Sequence, residues 1–217
     1  MSAPISDPAS PTGEVVAPSK RVEARKRPWA WWIVSAVAAL LTGALLLWEP
    51  GAPPKTASED AGFTLESSEG AVSLSDFHGK VVLVYFGYAS CPDICPTSLA
   101  YLGTALAQLD PAERAQAQGV FISVDPARDT PARLAEYGRF FHEEIIGLTG
   151  SEEEIAEVAA RYGVIYRRIE SDSAMGYSVD HSSVTYVVDR EGRLVESLPH
   201  GTPSKTIADA IRRLLRS

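Results

Sequence analysis

The junction between the apolar run Val81-Val82-Leu83-Val84-Tyr85-Phe86 and Cys91-Pro92-Asp93-Ile94-Cys95-Pro96 constrains this chain most. The run is short, unbroken and valine-rich, which is the pattern of a strand buried on both faces. Thr97 to Leu109 is rich in Ala and Leu and reads as a helix. The cysteines therefore fall in a strand-to-helix turn. There the helix dipole and the free backbone N–H groups favour thiolate over thiol. Pro92 and Pro96 stiffen the turn, and Pro96 suits a first helical turn, where no donor is needed. These are the only two cysteines in 217 residues.

Two thiols separated by three residues have three uses. A structural disulfide is possible outside the cytoplasm, but so short a loop constrains the unfolded chain little. A redox dithiol is the second use, although the usual spacing is Cys-x-x-Cys and this chain has one residue more. The third is a soft metal, since thiolates select Cu(I), zinc or iron–sulfur clusters. Two sulfurs do not complete a zinc or cluster site, so a metal needs another ligand.

The rest of the chain places that turn in a fold. Phe63–Leu65 and Val72–Leu74 read as a hairpin around Glu69-Gly70. Val120–Val124 reads as a second buried strand, ending at Asp125-Pro126. Thr130-Pro131 reads as N-cap and first residue of a helix to Phe141. Ser151 and Glu154 form a capping box for a helix over Glu152–Tyr162. Val164–Tyr166 and Val184–Val188 read as strands, Leu194–Leu198 as a hairpin return, and Thr202-Pro203 opens a last helix to Leu215. This order predicts an α/β fold, a thioredoxin-like mixed sheet with flanking helices.

The N-terminal quarter is different in kind. Residues 1–28 read as a disordered cytoplasmic tail ending in the basic cluster Lys20 to Arg27. Residues 29–48 are twenty residues without a charge, the length that crosses a hydrocarbon core of about 30 Å. Trp29, Trp31 and Trp32 stand at one end and Trp48 at the other, where interfacial aromatics belong. The bulky exit Leu45-Leu46-Leu47-Trp48 argues against a cleaved signal peptide. The positive-inside rule keeps the basic cluster in the cytoplasm. The reading is a single-pass anchor in the inner (plasma) membrane, a linker at 49–61, and a domain at 62–217 facing the periplasm.

Charge bears on partners. Five bases and four acids lie in the first 49 residues, leaving residues 50–217 with 15 bases and 24 acids, net −9. That argues against a nucleic-acid partner. It suits a cationic or metal-carrying partner, or simple solubility.

Of the four histidines, His78, His142 and His200 read as surface residues. His181 lies in Val179-Asp180-His181-Ser182-Ser183, read as a loop just before the strand Val184–Val188. In a thioredoxin-like fold that loop faces the cysteine turn, at the place where thioredoxins carry a proline. Two thiolates and one imidazole make a three-coordinate site suited to Cu(I) and able to hold Cu(II).

Gly87 to Pro96, Asp125-Pro126-Ala127-Arg128-Asp129-Thr130-Pro131 and Val179-Asp180-His181-Ser182 together resemble the Sco/SenC family of copper proteins. The three motifs come in the family's order and spacing, and the resemblance covers about residues 60–216 and includes the anchor. Ala89-Ser90 departs from a position where the family often has threonine. The resemblance implies a thioredoxin-like fold, with Cys91, Cys95 and His181 as copper ligands. It implies delivery of copper to the binuclear site of cytochrome c oxidase subunit II. Thiol–disulfide reduction of that site's cysteines by Cys91 and Cys95 is the alternative. The enzyme question thus stays open between a metallochaperone and a reductase. A peroxiredoxin-like peroxidase has no use for the close second cysteine or for His181.

Two carboxylates flank the ligands. Asp93 either tunes copper release or thiol acidity, or caps the following helix. Asp180 either orients the ligand imidazole by hydrogen bonding or is a solvated residue. Asp125, Arg128 and Asp129 read as a strand end, a turn and a helix start. Tyr85, Phe86 and Tyr88 read as core or rim of the site.

Overall fold

The structure, a computed structural model, describes residues 61–172 and 176–217. The expected tail, the anchor at 29–48 and the linker through residue 60 lie outside the described residues. Ala61, the last residue of the expected linker, is fully buried, and its carbonyl accepts the Tyr162 hydroxyl at 2.8 Å. Among the described residues no helix is long and apolar enough to cross a membrane.

The valine-rich run is the middle of the molecule. It forms β3 (Val81–Gly87), and all seven residues are buried. β4 (Ala117–Ser123) and β5 (Ile145–Leu148) extend the sheet in parallel on one side. β8 (Val184–Val188) and β9 (Leu194–Pro199) extend it antiparallel on the other, for the order β5-β4-β3-β8-β9. A strand with neighbours on both sides and helices on both faces sees no water, which is why β3 and β4 show no alternation. β1 (Thr64–Ser67) and β2 (Gly70–Ser73) form the expected hairpin, with Gly70 at φ 117° in its turn.

Helix α1 (Ile94–Ala107) follows the cysteine turn and begins three residues earlier than expected, so Cys95 lies in its first turn. A short α2 (Pro111–Arg114), opened by an Asp110/Glu113 capping box, was not anticipated. Thr130 caps α3 (Pro131–Phe141), and the Ser151/Glu154 box opens α4 (Glu152–Tyr162), both as expected. α5 (Ser204–Leu215) closes the chain. Alternation along β3 assigns the faces. Tyr85 packs on Phe121, which meets Tyr137 of α3, while Phe86 packs on Tyr162 of α4 and on Tyr186.

Three strands depart from the sequence reading. β5 was not foreseen. The strand expected at Val164–Tyr166 is instead β6 (Tyr166–Glu170), which pairs with β7 (Tyr177–His181) in a separate two-stranded sheet. His181 is therefore the last residue of a strand, not a loop residue.

Candidate metal centre

Three elements converge beyond the C-terminal end of β3. Cys91 comes from the β3–α1 loop, Cys95 from the first turn of α1, and His181 from the end of β7. One ligand atom from each lies within 4.8 Å of the others. Cys95 Sγ stands 3.2 Å from His181 Nε2. Cys95 is fully buried, whereas Cys91 and His181 are half-buried, so the centre has one open side.

The floor comes from β3. Tyr85 sets its ring edge-on to His181 at 6.2 Å, and Tyr88 does the same at 6.0 Å from the cysteine loop. Gly87 lies on the Tyr85 face of the strand. A Cβ there would stand 2.6 Å from Cys95 Sγ and 3.0 Å from Phe121 Cε2. The buried sulfur thus occupies the space a side chain would fill. A glycine inside a strand signals such an approach, but the sequence reading passed over it.

The imidazole is set for ligation by its own backbone. His181 Nδ1 faces the Ser182 carbonyl at 3.1 Å. A carbonyl only accepts, so Nδ1 carries the proton and Nε2 presents its lone pair to the sulfurs. Metal-binding histidines make this arrangement, with the second nitrogen donating to a backbone carbonyl or a carboxylate.

Asp180 does not take that part. Successive side chains of a strand point to opposite faces. The Asp180 carboxylate accordingly turns away, is exposed, and faces Arg167 at 3.7 Å. Of the two readings left open for Asp180, this placement matches the solvated residue. Asp93 occupies the N-cap position of α1 but makes no side-chain capping bond, and it is exposed. Its backbone amide favours the Cys91 thiolate.

The two sulfurs differ more than their place at a helix start implied. The Cys95 thiol beside it lowers the Cys91 thiol to about 3 against the cost of burial, aided by the Asp93 and Cys95 amides. Cys95 moves the other way, because the Cys91 sulfur beside it and its own burial both favour the thiol. Only the outer cysteine is favoured as thiolate in the metal-free protein. The other histidines stand apart: His200 Nδ1 lies 2.8 Å from Ser98 Oγ, His142 Nδ1 accepts the Glu144 amide, and His78 is exposed.

A model of the SCO1/SenC family matches residues 51–216. The chain belongs to the SCO1/SenC family. A SCO2-like protein of Rickettsia prowazekii is 40% identical over 152 residues, covering 69% of this chain and 74% of its own. The crystal structure of Arabidopsis thaliana ScoI with copper bound aligns with TM-score 0.67 at 36% identity, over 73% of this chain and 99% of that one. BsSco aligns with TM-score 0.59 at 26% identity, over 76% of this chain and 96% of its own. It is described as a member of the Sco family of cytochrome c oxidase assembly proteins in which a disulfide switch was identified.

The donor set itself names a class of metal. Two sulfurs and one imidazole nitrogen are soft to borderline ligands, and three donors satisfy Cu(I). A structural zinc site needs a fourth protein ligand. Among the described residues no other group of cysteine, histidine and carboxylate side chains converges in this way.

Proposed function

We propose that this protein carries copper as cargo, bound by Cys91 Sγ, Cys95 Sγ and His181 Nε2, and hands it to a copper acceptor during cytochrome c oxidase assembly. The acceptor proposed is the binuclear site of subunit II. The convergence of the three donor atoms within 4.8 Å carries the reading. The half-buried Cys91 offers the sulfur at which an acceptor thiolate enters, and the buried Cys95 releases last. Ligand exchange of this kind moves the ion without freeing it. The test is a titration of the purified, reduced protein with Cu(I) against a competing chelator. One equivalent bound by wild type and much weaker binding by His181→Ala support the reading, while equal binding by both defeats it.

Residues 29–48 are proposed as the membrane anchor, with 1–28 in the cytoplasm, 49–61 as the linker and 62–217 in the periplasm. The uncharged run behind a basic cluster supports this placement. A reporter that works only after export, fused behind Ser217, is expected to be active.

The sulfur asymmetry supports a second activity on the same residues. The Cys91 thiolate attacks a partner disulfide, forming a mixed disulfide and expelling one partner sulfur as thiolate. Cys95 then gives up its proton, attacks the Cys91 sulfur and expels the other. The partner disulfide is reduced and Cys91–Cys95 is oxidised. This exchange needs no imidazole ligand, so His181→Ala separates the two activities.

A further inference from the structure

The turn between β4 and α3 does more than connect them. Asp129 is almost wholly buried, and its Oδ2 accepts the Ala89 amide at 2.8 Å and the Ser123 hydroxyl at 2.7 Å. Ala89 lies two residues before Cys91, so this carboxylate fixes the entry to the cysteine loop. Asp125, equally buried, accepts the Tyr177 hydroxyl on Oδ1 at 2.7 Å and pairs with Arg128 Nε on Oδ2 at 2.5 Å. Arg128 donates from Nη1 to the Tyr177 carbonyl at 3.0 Å. Its guanidinium lies 3.7 Å from the Tyr177 ring centre and 5.5 Å from that of Tyr88. Tyr177 opens β7 and His181 closes it. Tyr88 belongs to the cysteine loop.

This anchorage matters because of what β6 and β7 lack. They form a two-stranded sheet of their own, outside the five-stranded one. Of their ten residues only Val179 is buried. A lone hairpin is marginal in water, so its position must come from contacts with the body. The guanidinium supplies a fork, a charge and a flat face to one tyrosine of that hairpin.

We propose that Asp125 and Arg128, gripping Tyr177, are positioning residues that hold the His181 hairpin against the cysteine loop. The inference rests on reading Cys91, Cys95 and His181 as the copper ligands. The clamp touches neither sulfur nor imidazole directly. It sets the distance between the strand that brings the nitrogen and the loop that brings the thiolates.

The experiment uses the full-length protein. Arg128→Ala is expected to weaken Cu(I) binding by about 10–100-fold, the range for groups that orient a ligand. On the His181→Ala background the same change is expected to cost nothing more, because the residue it positions is gone. In the metal-free protein, hydrogen exchange at Tyr177–His181 is expected to quicken while β3 and β4 stay protected. Loading with Cu(II) gives a second readout, since nitrogen coupling in the electron paramagnetic resonance spectrum should fall in Arg128→Ala. An equal loss on both backgrounds, or unchanged hairpin exchange, overturns the proposal. If His181→Ala alone leaves copper binding intact, the ligand reading is what fails, and the exchange measurement still decides the clamp. Should Arg128→Ala not fold, Tyr177→Phe keeps the ring and removes only the hydroxyl. It is expected to shift binding and exchange in the same direction by less, and no shift in either overturns the proposal.

Discussion

At the scale of single residues, the centre makes unequal demands on its neighbours. Removing the imidazole leaves copper on two sulfurs, so His181→Ala is expected to cost more than the roughly 10–100-fold typical of an orienting group. Asp180→Asn is expected to change Cu(I) affinity by less than about twofold, because an exposed ion pair contributes little. Chelator competition on both variants separates the two positions. Gly87→Ala brings a methyl against Cys95 Sγ and Phe121. Overpacking of this kind costs about 1–3 kcal/mol, readable in urea unfolding of the metal-free protein, and the displaced sulfur should weaken copper binding as well. The convergence of Cys91, Cys95 and His181 was legible because cysteine and histidine are scarce and chemically committed. The two readings of Asp180 stayed open in the sequence, because its side chain turns to the face opposite His181 only if the segment is a strand. The grip of Arg128 on Tyr177 spans 49 residues of chain, and nothing local announces it.

Among the elements, legibility followed apolar burial and capping chemistry. β3 and β8 were plain, being bounded apolar runs with no competing reading. α3 and α4 were equally plain from Thr130-Pro131 and from the Ser151/Glu154 box. β5 was hidden because four residues ending in Gly147-Leu148 give neither alternation nor length. Its Gly147 is demanded by packing, since a Cβ there would stand 2.5 Å from Leu134. β6 and β7 were hidden for the opposite reason. Their sequences, Tyr-Arg-Arg-Ile-Glu and Tyr-Ser-Val-Asp-His, have no continuous apolar face because the hairpin has almost no core to join. Stability and function should therefore separate by element. Ser151→Ala removes a cap on α4, whose Tyr162 packs on the Phe86 face of β3, the face away from the sulfurs. It is expected to destabilise the domain by about 1 kcal/mol in urea unfolding while leaving Cu(I) affinity unchanged.

For the whole domain, the proposed copper centre would be a cross-link that depends on oxidation state. Its ligands come from a loop, a helix and an outlying hairpin, which only the folded chain brings together. The unfolded chain keeps two cysteines four positions apart but loses the histidine, 86 positions from Cys95. Copper held by these three donors would therefore bind the native state in preference. A ligand at about a thousand times its dissociation constant stabilises by roughly 4 kcal/mol. For a domain of this size each kcal/mol moves the melting temperature by about 2–4 °C, so saturation of the reduced protein with Cu(I) should raise it by roughly 8–16 °C. Oxidising Cys91 and Cys95 to a disulfide uses the two sulfurs that would hold the ion. The oxidised protein should then show no copper-dependent rise, and reduction should restore it. His181→Ala should retain only part of the rise, since residual binding by two sulfurs close in sequence no longer ties the hairpin to the cysteine loop. Scanning calorimetry of reduced, oxidised and His181→Ala protein, each with and without Cu(I) under anaerobic conditions, reads all three cases. A full rise in the oxidised protein would place the ion on other residues and remove the link between redox state and cargo.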